Sequence, residues 1–468
     1  VSMISFIPRQ IFQRLQREDR TPTSMVNVML AEACNYSSAP ELAAVGRATA
    51  RGYFIERAYR ALFECLEYDS AEHCVAILLF ALVISKAGLH RAWIMHSLST
   101  QMAIRLRFNT IDSPLSAPAF RKDTALTREW KRRVFWQLYT YDILTSTLGD
   151  LPPCLAIRDI RCNSPTPMTS ATDDLAVLGP AVVICDDQET VDMQVELLGI
   201  MYDISTMQNR LSPEECLFPP EFTEIHKRIA AWRGRIPHMD TLVSGSLAEI
   251  ADVFSDRPGL VFLGLMCQYV QVFLCLIKDT WLPSTRSMTP QEERTLAWAR
   301  QTAYDASQVV HRLVPLVREM RLNIVCSFVS CVVFQACIIS LHSCAWWPSK
   351  SDPRRALAAV NNVQQGLDFL EYVVPRWGFA GVLTTSLRSM IVERGFGMQE
   401  SGGAGTSPGA AQPQQADDAL ASDGPKHSAA PSASPGADQP LSAERMRPFL
   451  EESLWERILR TGEMPYNT

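Results

Sequence analysis

Residues 130–165 read WKRRVFWQLYTYDILTSTLGDLPPCLAIRDIRCNSP, the most informative stretch of this sequence. Its apolar residues recur with the period of an α-helix, at Trp130, Val134, Leu138, Tyr141 and Leu148. Gly149 is a typical helix terminator, and the pair Pro152-Pro153 cannot continue a helix. The stretch therefore predicts a long helix that ends at a proline-closed turn.

One stripe of this predicted helix carries Phe135, Tyr139 and Asp142, at spacing i, i+4, i+7. A carboxylate beside two aromatic rings is costly unless it is paired or hydrogen-bonded. We expect Asp142 to accept hydrogen bonds either from an arginine, with Arg158 and Arg161 as candidates, or from loop amides. A catalytic role would need a second acid, a base or a nucleophile at a usable spacing. The stretch offers none, so we predict a structural role.

The helical period recurs through most of the chain, whereas short alternating runs around tight turns are nearly absent. The pattern predicts helices over 53–68, 73–85, 93–108, 130–148, 192–211, 220–233, 259–281, 290–319, 322–346 and 354–376. The predicted fold class is all-α, a large multi-helix domain.

Composition narrows the functional classes. The 468 residues carry 44 Lys+Arg against 50 Asp+Glu, a net charge of −6, so the chain has no bulk attraction for nucleic acid.

Segments 259–277 and 324–347 are uncharged and long enough to span a bilayer. Both contain polar side chains and lack a one-sided excess of Lys and Arg at their ends. We interpret them as core helices and expect no membrane partner, with a membrane-associated protein as the less favoured alternative.

The 13 cysteines are odd in number, irregularly spaced and without a C-x-x-C pair. This usage is typical of free, buried cysteine in a reducing compartment.

The apolar N-terminus is interrupted by Pro8 and Arg9, so no signal peptide is predicted. His90 and His96 do not share a helical face, and we expect no metal site in this chain.

The stretch 130–165 resembles the middle homology region, or fungal-specific transcription factor domain, of fungal Zn2Cys6 binuclear-cluster regulators. That family's signature runs roughly R-R-x-F-W-x-L-y-x-x-D, then G-R-P-P, then D-I-x-x-x-x-P. The matching positions are Arg132, Arg133, Phe135, Trp136, Leu138, Tyr139, Asp142, Gly149, Pro152, Pro153, Asp159, Ile160 and Pro165. Asp150 stands where the family usually has Arg, and the turn is one residue longer.

An upstream element, HRAWIMHSLSTQMAIRLRFN at 90–109, is similar to the family pattern A-W-x-x-x-G-x-A-x-R-M-A-x-x-L-G-L-H. It keeps Ala92, Trp93, Met102, Ala103 and Leu106. It departs from the pattern at Gln101, Arg107 and Asn109, which replace the usual Arg, Gly and His. The resemblance covers about residues 50–165.

The resemblance implies a non-catalytic regulatory domain, in the nucleus, of a transcription factor that controls RNA polymerase II genes. The family's six-cysteine zinc cluster occurs in no window of this sequence. Zinc and DNA binding are therefore implied only through a missing cluster, which either lies upstream of Val1 or has been lost. Implied partners are the transcription machinery or co-regulators, and both a homodimer and a small-molecule inducer are compatible with the resemblance.

We predict four regions: a linker or entry segment at 1–49, the regulatory domain at 50–396, a disordered low-complexity linker at 397–441, and an amphipathic helix within 442–468. Residues 448–460, PFLEESLWERILR, either act as an activation segment or dock back on the domain as a last helix. Residues 9–20, RQIFQRLQREDR, form either a linker or dimerisation helix or a solvated helix face. The rival functions are a cluster-less helical co-regulator and a small-molecule-binding protein or helical enzyme on the same scaffold.

Overall fold

The computed structural model describes part of the chain. The described residues are 7, 9–34, 42, 45–85, 89–149, 151–166, 188–210, 218–255, 257–276, 288–320, 328–346, 353–374 and 377–393. They are predominantly helical and contain no strand, which confirms the all-α prediction. The linker predicted at 397–441 and the helix predicted within 442–468 lie outside them.

The first half of the described fold is built around one long helix. Its helices in chain order are α1 Arg9–Arg17, α2 Thr23–Ala33, α3 Arg47–Glu67, α4 Ala71–Ile84, α5 Leu89–Arg105 and α6 Ala125–Gly149. Helices α1, α4 and α5 each contact α6, and α2 packs against α3 and α4. Helix α6 therefore lies at the centre of this half.

The two N-terminal helices belong to this packing. Ile11 and Leu15 of α1 and Met25 of α2 are fully buried, although they precede the predicted domain start at residue 50. Arg14 of α1 donates from Nη2 to Oγ1 of Thr127 on α6, over 3.1 Å. One face of α1 therefore packs on α6, while Gln13, Gln16 and Arg17 on its other face are exposed, as the interpretation of a solvated helix face expects. The linker or dimerisation role of residues 9–20 stays a prediction.

The second half contains nine further helices among the described residues. They are α7 Gln188–Arg210, α8 Pro220–Arg233, α9 Met239–Ser244, α10 Leu247–Phe254, α11 Pro258–Cys275, α12 Pro290–Glu319, α13 Phe328–Trp346, α14 Pro353–Val373 and α15 Phe379–Glu393. Helices α7, α8, α12 and α13 surround α11, while α14 and α15 cover α13. Several starts follow from local sequence: α8, α11 and α12 begin with proline in the first turn, and Thr289 and Glu292 form a capping box on α12.

Helix α11 is long and apolar enough to cross a membrane, as judged by length and composition alone. In the structure, 94% of its apolar window is buried inside the protein. The other segment considered, now α13, contains the shorter apolar helix Phe328–Cys344. Because protein surrounds α11, it is packed as a core helix.

The described cysteines also lie in the core. Nine are free thiols, and seven of these are buried. Burial raises the pKa of Cys74, Cys267 and Cys275 to about 12. These side chains therefore behave as small apolar residues at neutral pH.

Candidate functional site

The predicted motif folds into one unit, made of α5, α6 and the chain that returns along α6 from residue 151 to residue 166. Helix α6 begins where Thr124 accepts a hydrogen bond from the backbone amide of Thr127, at 3.1 Å. At its other end, the amide of Leu151 donates to the carbonyl of Ser146 over 3.0 Å. Pro152 and Pro153 then direct the chain back beside the helix. Asp150 is not among the described residues.

Asp142 holds this returning chain. Its side chain is fully buried. Its Oδ1 accepts the backbone amide of Cys154 at 3.1 Å, and its Oδ2 accepts that of Leu155 at 2.9 Å. Loop amides therefore satisfy the carboxylate. Of the two arginine candidates, Arg158 is highly exposed, and Arg161 donates to backbone carbonyls of its own loop.

The upstream element contributes His96 to the same cluster. His96 is fully buried on α5, and its Nε2 lies 3.7 Å from Oδ1 of Asp142. The same nitrogen lies 3.3 Å from Oγ1 of Thr100, and the ring meets that of Tyr141 edge-on at 4.8 Å. Asp142 thus joins α5, α6 and the proline turn. Spacing in the sequence gave no sign of His96 in this place, because the contact joins two separate helices.

Cys154, whose backbone amide binds Asp142, brings a thiol to this cluster. Burial, followed by the negative charge of Asp142, raises the pKa of its thiol to about 11. Its Sγ lies 3.7 Å from the hydroxyl of Ser97. A thiol reacts as the thiolate, so Cys154 is deactivated at neutral pH.

The basic run at the start of α6 forms internal ion pairs. Arg132 contacts Asp112 through two parallel bonds, Nε to Oδ2 at 3.0 Å and Nη2 to Oδ1 at 2.6 Å, and also pairs with Glu129. The amide of Asn163 donates to the same Asp112 carboxylate at 2.8 Å. Burial alone would raise the pKa of Asp112, but the bonds from Arg132 and Asn163 outweigh burial and lower it. The pair is held in its charged form.

Arg133 and Trp136 fix the end of the returning chain. Arg133 donates from Nε to Glu129 at 3.1 Å and from Nη2 to the carbonyl of Thr166 at 3.2 Å. The indole nitrogen of Trp136 donates to the carbonyl of Asn163 at 2.6 Å. Lys131 pairs with Asp123 at 2.8 Å. The three cations of the motif are thus all paired within the fold.

The remaining motif residues divide between core and surface. Phe135, Tyr139, Met102 and Ala103 are buried, and Trp93 is partly buried on α5. Asp159 is exposed, and its carbonyl accepts a bond from the side chain of Asn109 at 3.2 Å. Asp159 therefore contributes its backbone to the loop contact.

Helix α6 also contacts the second half of the molecule. Tyr139 is 1% exposed, and burial, followed by the charge of Asp203 on α7, raises its pKa far above the ordinary value. The hydroxyl of Tyr269 on α11 donates to Thr147 of α6 over 3.4 Å. Helix α6 is consequently shared by both halves.

The charged side chains of this unit are paired with internal partners, as in a packing unit. Some of its buried polar atoms, among them His96 Nδ1, Tyr139 Oη and Ser146 Oγ, have no hydrogen-bond partner among the described residues. Within the described residues, no group of three or more His, Cys, Asp or Glu side chains could hold a metal ion. Residues 4–176 match the family model of the fungal specific transcription factor domain. The chain therefore contains a fungal transcription regulatory domain over those residues. No curated protein and no solved structure gives a significant match.

Proposed function

We propose that this chain is the regulatory part of a fungal Zn2Cys6-type transcription factor that controls RNA polymerase II genes in the nucleus. DNA binding would come from a zinc cluster outside these 468 residues, so the chain itself would hold no cofactor. The observation that carries the proposal is the fungal specific transcription factor domain at residues 4–176. Its predicted motif residues, from Trp93 to Asp159, would act as packing and positioning groups.

The contacts of α6 support a regulatory role over a catalytic one. Helix α6 holds the proline turn through Asp142 and also contacts α7 and α11. Both halves of the molecule contact α6. We therefore expect a structural change in one half to shift α6 and, through α6, to act on the other half. An inducer, a co-regulator or a second subunit could use this coupling only by binding two states of the domain with different affinity.

The test is a reporter assay with the whole chain fused to a heterologous DNA-binding module. We expect reporter expression to rise or fall relative to the module alone, because the chain would recruit or block the transcription machinery. Expression that equals the module alone would contradict a role in transcription.

A matched pair of substitutions connects this readout to the site. Asp142→Ala leaves the buried amide of Leu155 and the partly buried amide of Cys154 without an acceptor, which should cost about 2–4 kcal/mol of folding free energy and abolish the reporter effect. Asp159→Ala removes an exposed carboxylate of the same motif and should preserve the effect. Circular dichroism melts of both purified chains would report the stability. Equal reporter activity for the two variants would contradict a positioning role for Asp142.

A cluster-less co-regulator is the second candidate, because the six-cysteine pattern is missing from the sequence given. The genomic sequence immediately 5′ of the Val1 codon separates the two. An in-frame six-cysteine cluster there would support the transcription factor, and its absence would support the co-regulator.

A further inference from the structure

Helix α3 exposes an unusual concentration of aromatic side chains. Six aromatic side chains of the described residues are exposed, and four of them lie between residues 53 and 68. Two of the four, Tyr53 and Phe63, are 58% and 63% exposed on α3. Clustered exposed apolar groups mark interaction surfaces more often than isolated ones do. The outer side of α3 is therefore a candidate interaction surface.

The exposed side chains of α3 follow a heptad pattern. Spacings of four and three residues alternate along one line of exposed positions, which are Thr49, Tyr53, Glu56, Arg60 and Phe63. This line lies opposite Ala58 and Leu62, which are buried. Alternating spacings of four and three are the pattern by which one helix packs lengthwise along another. We name these five residues the α3 outer stripe.

The α3 outer stripe matches itself when two copies of α3 run antiparallel. A two-fold axis at the level of Ala58 pairs each stripe residue with the one equally far beyond Ala58 in the other copy. Tyr53 of one copy then shares a layer with Phe63 of the other, and Glu56 shares a layer with Arg60. Because the axis repeats each layer, the interface would contain two aromatic layers and two ion pairs. A parallel pair would instead set Glu56 against Glu56 and Arg60 against Arg60.

The charged residues of the central layers can reach a second partner. Nε of Arg60 lies 2.9 Å from Oε1 of Glu56 within the same helix. In spite of this pair, the side chains of Arg60 and Glu56 remain 78% and 58% exposed. An exposed pair contributes little within one helix. A second copy would cover both groups and give each of them an additional opposite charge.

Aromatic contacts support the two ends of the stripe. The rings of Tyr59 and Phe63 meet edge-on, with centroids 6.0 Å apart, and Tyr59 also lies 6.1 Å from the ring of Phe80 on α4. Near the other end, the guanidinium of Arg57 lies 5.6 Å from the centre of the Tyr53 ring. Both aromatic residues of the stripe are thus held beside a neighbouring side chain before any partner arrives.

The complete charge count of α3 favours a second copy over a partner of one sign. Residues 47–67, RATARGYFIERAYRALFECLE, contain four arginines and three glutamates. A nucleic acid or a strongly acidic segment therefore gains little from this nearly neutral helix. All four arginines precede residue 61, whereas two of the three glutamates stand at positions 64 and 67. An antiparallel pair would place the glutamate-bearing end of each helix beside the arginine-bearing end of the other.

We propose that two copies of this chain associate through the α3 outer stripe as antiparallel helices, with Tyr53 against Phe63 and Glu56 against Arg60. The inference does not depend on the role of the domain in transcription, because it rests on the surface of α3 alone. One helix of 21 residues from each copy makes a small interface. Such interfaces belong to weak complexes, and we expect a Kd of about 30 µM.

Sedimentation equilibrium of the full 468-residue chain tests the association. With that Kd, about two thirds of the copies are in dimers at about 100 µM protein, and about one tenth are in dimers at about 2 µM. The average mass should therefore rise with concentration from near that of one copy toward that of two. A mass that stays at one copy at the higher concentration would overturn the proposal.

A pair of matched substitutions locates the interface. Phe63→Glu should raise the Kd at least tenfold, because the two-fold axis disrupts both aromatic layers at once. Leu115→Glu is the control, since Leu115 is 87% exposed and lies on the 3-10 helix Pro114–Phe120 rather than on α3. It should leave the Kd unchanged. A dimer that persists in Phe63→Glu would place the contact elsewhere and contradict the proposal.

Charge variants test the central layers without changing an apolar residue. Glu56→Arg and Arg60→Glu each set like charges against one another in both layers, so each should raise the Kd at least tenfold. An equimolar mixture of the two sets arginines of one copy against glutamates of the other. It should restore the Kd to within about threefold of the unmodified value. The pair within each helix stays broken in this mixture, so restoration reports contact between copies.

Crosslinking tests the antiparallel register. A chain with benzoylphenylalanine in place of Phe63, mixed with an isotope-labelled unmodified chain, should crosslink on illumination to residues 49–57 of the labelled copy. Crosslinks to residues 60–67 of the labelled copy would show a parallel pair, and failure of the two charge variants to associate when mixed would exclude the central layers. Either result overturns the proposal. Circular dichroism melts of the variants, compared with the unmodified chain, show whether each is folded.

Discussion

At the residue scale, Asp142 shows what a sequence can and cannot predict about a buried acid. Its neighbours on the helical stripe predict that it needs hydrogen-bond donors, and the structure places two amides there. The identity of the donors depends on how the residues after Pro153 turn, which spacing does not encode. Arg158 and Arg161 were plausible by proximity in sequence, but their long side chains remain at the surface.

Arg107 provides a prediction at the same scale. It stands where the family pattern has Gly, and its backbone adopts a left-handed conformation with φ of 62°. A side chain makes that conformation costly, so Arg107→Gly should raise the free energy of unfolding by about 1 kcal/mol, as measured by urea denaturation. Gln101→Gly, in the middle of α5, is the control and should lower it by a similar amount. A loss of stability in Arg107→Gly would show that the arginine side chain stabilises the loop.

At the element scale, helical periodicity located most helices. Two predicted ranges, 220–233 and 290–319, coincide with α8 and α12, because each has a proline at its first position. Helix α6 begins five residues before the predicted start at residue 130, and its start lies just after Thr124, which caps it. Four helices were missed. Helices α9 and α10 have six and eight residues, which hold too few turns to show a period. Helices α2 and α15 were missed although they have 11 and 15 residues.

Contacts between elements also explain where glycine is required. A Cβ at Gly366 on α14 would overlap the sulfur of Cys337 on α13. Although alanine favours a helix over glycine by about 1 kcal/mol, overpacking a core costs about 1–3 kcal/mol. Gly366→Ala should therefore lower the unfolding free energy, measured by chemical denaturation.

Two further variants separate packing from helix propensity in that experiment. Gly52→Ala on α3 should be neutral or stabilising, because no atom lies within 4 Å of its added methyl group. Adding Cys337→Ala to Gly366→Ala should remove the overlap and recover part of the loss. If Gly366→Ala were stabilising, the helices α13 and α14 would have to separate more easily than their packing suggests.

At the scale of the whole molecule, the family match and the folding unit have different extents. The match ends at residue 176, yet α6 packs against α7 and one hydrophobic core continues into the second half. The resemblance in the sequence covered the motif alone and carried no information about which helices of the second half contact α6. The division of the chain into regions at residues 50, 397 and 442 stays a prediction.

A fragment of residues 1–176 should consequently fold poorly on its own, because it exposes the α6 surface that contacts α7 and α11. We expect it to bind a hydrophobic dye and to lack a cooperative thermal transition, whereas a fragment of residues 1–396 should unfold cooperatively. A sharp transition in the shorter fragment, at the temperature of the longer one, would show that the first half is an independent domain.

The burial of the cysteines has a consequence for cells under oxidative stress. Peroxide attacks the thiolate, and at neutral pH a thiol with a pKa near 12 is ionised in only about one molecule in 10⁵. Cys74, Cys267 and Cys275 are of this kind. A burst of oxidant would leave these sulfur atoms unmodified, so any redox signal must reach the domain by a route other than these three core thiols.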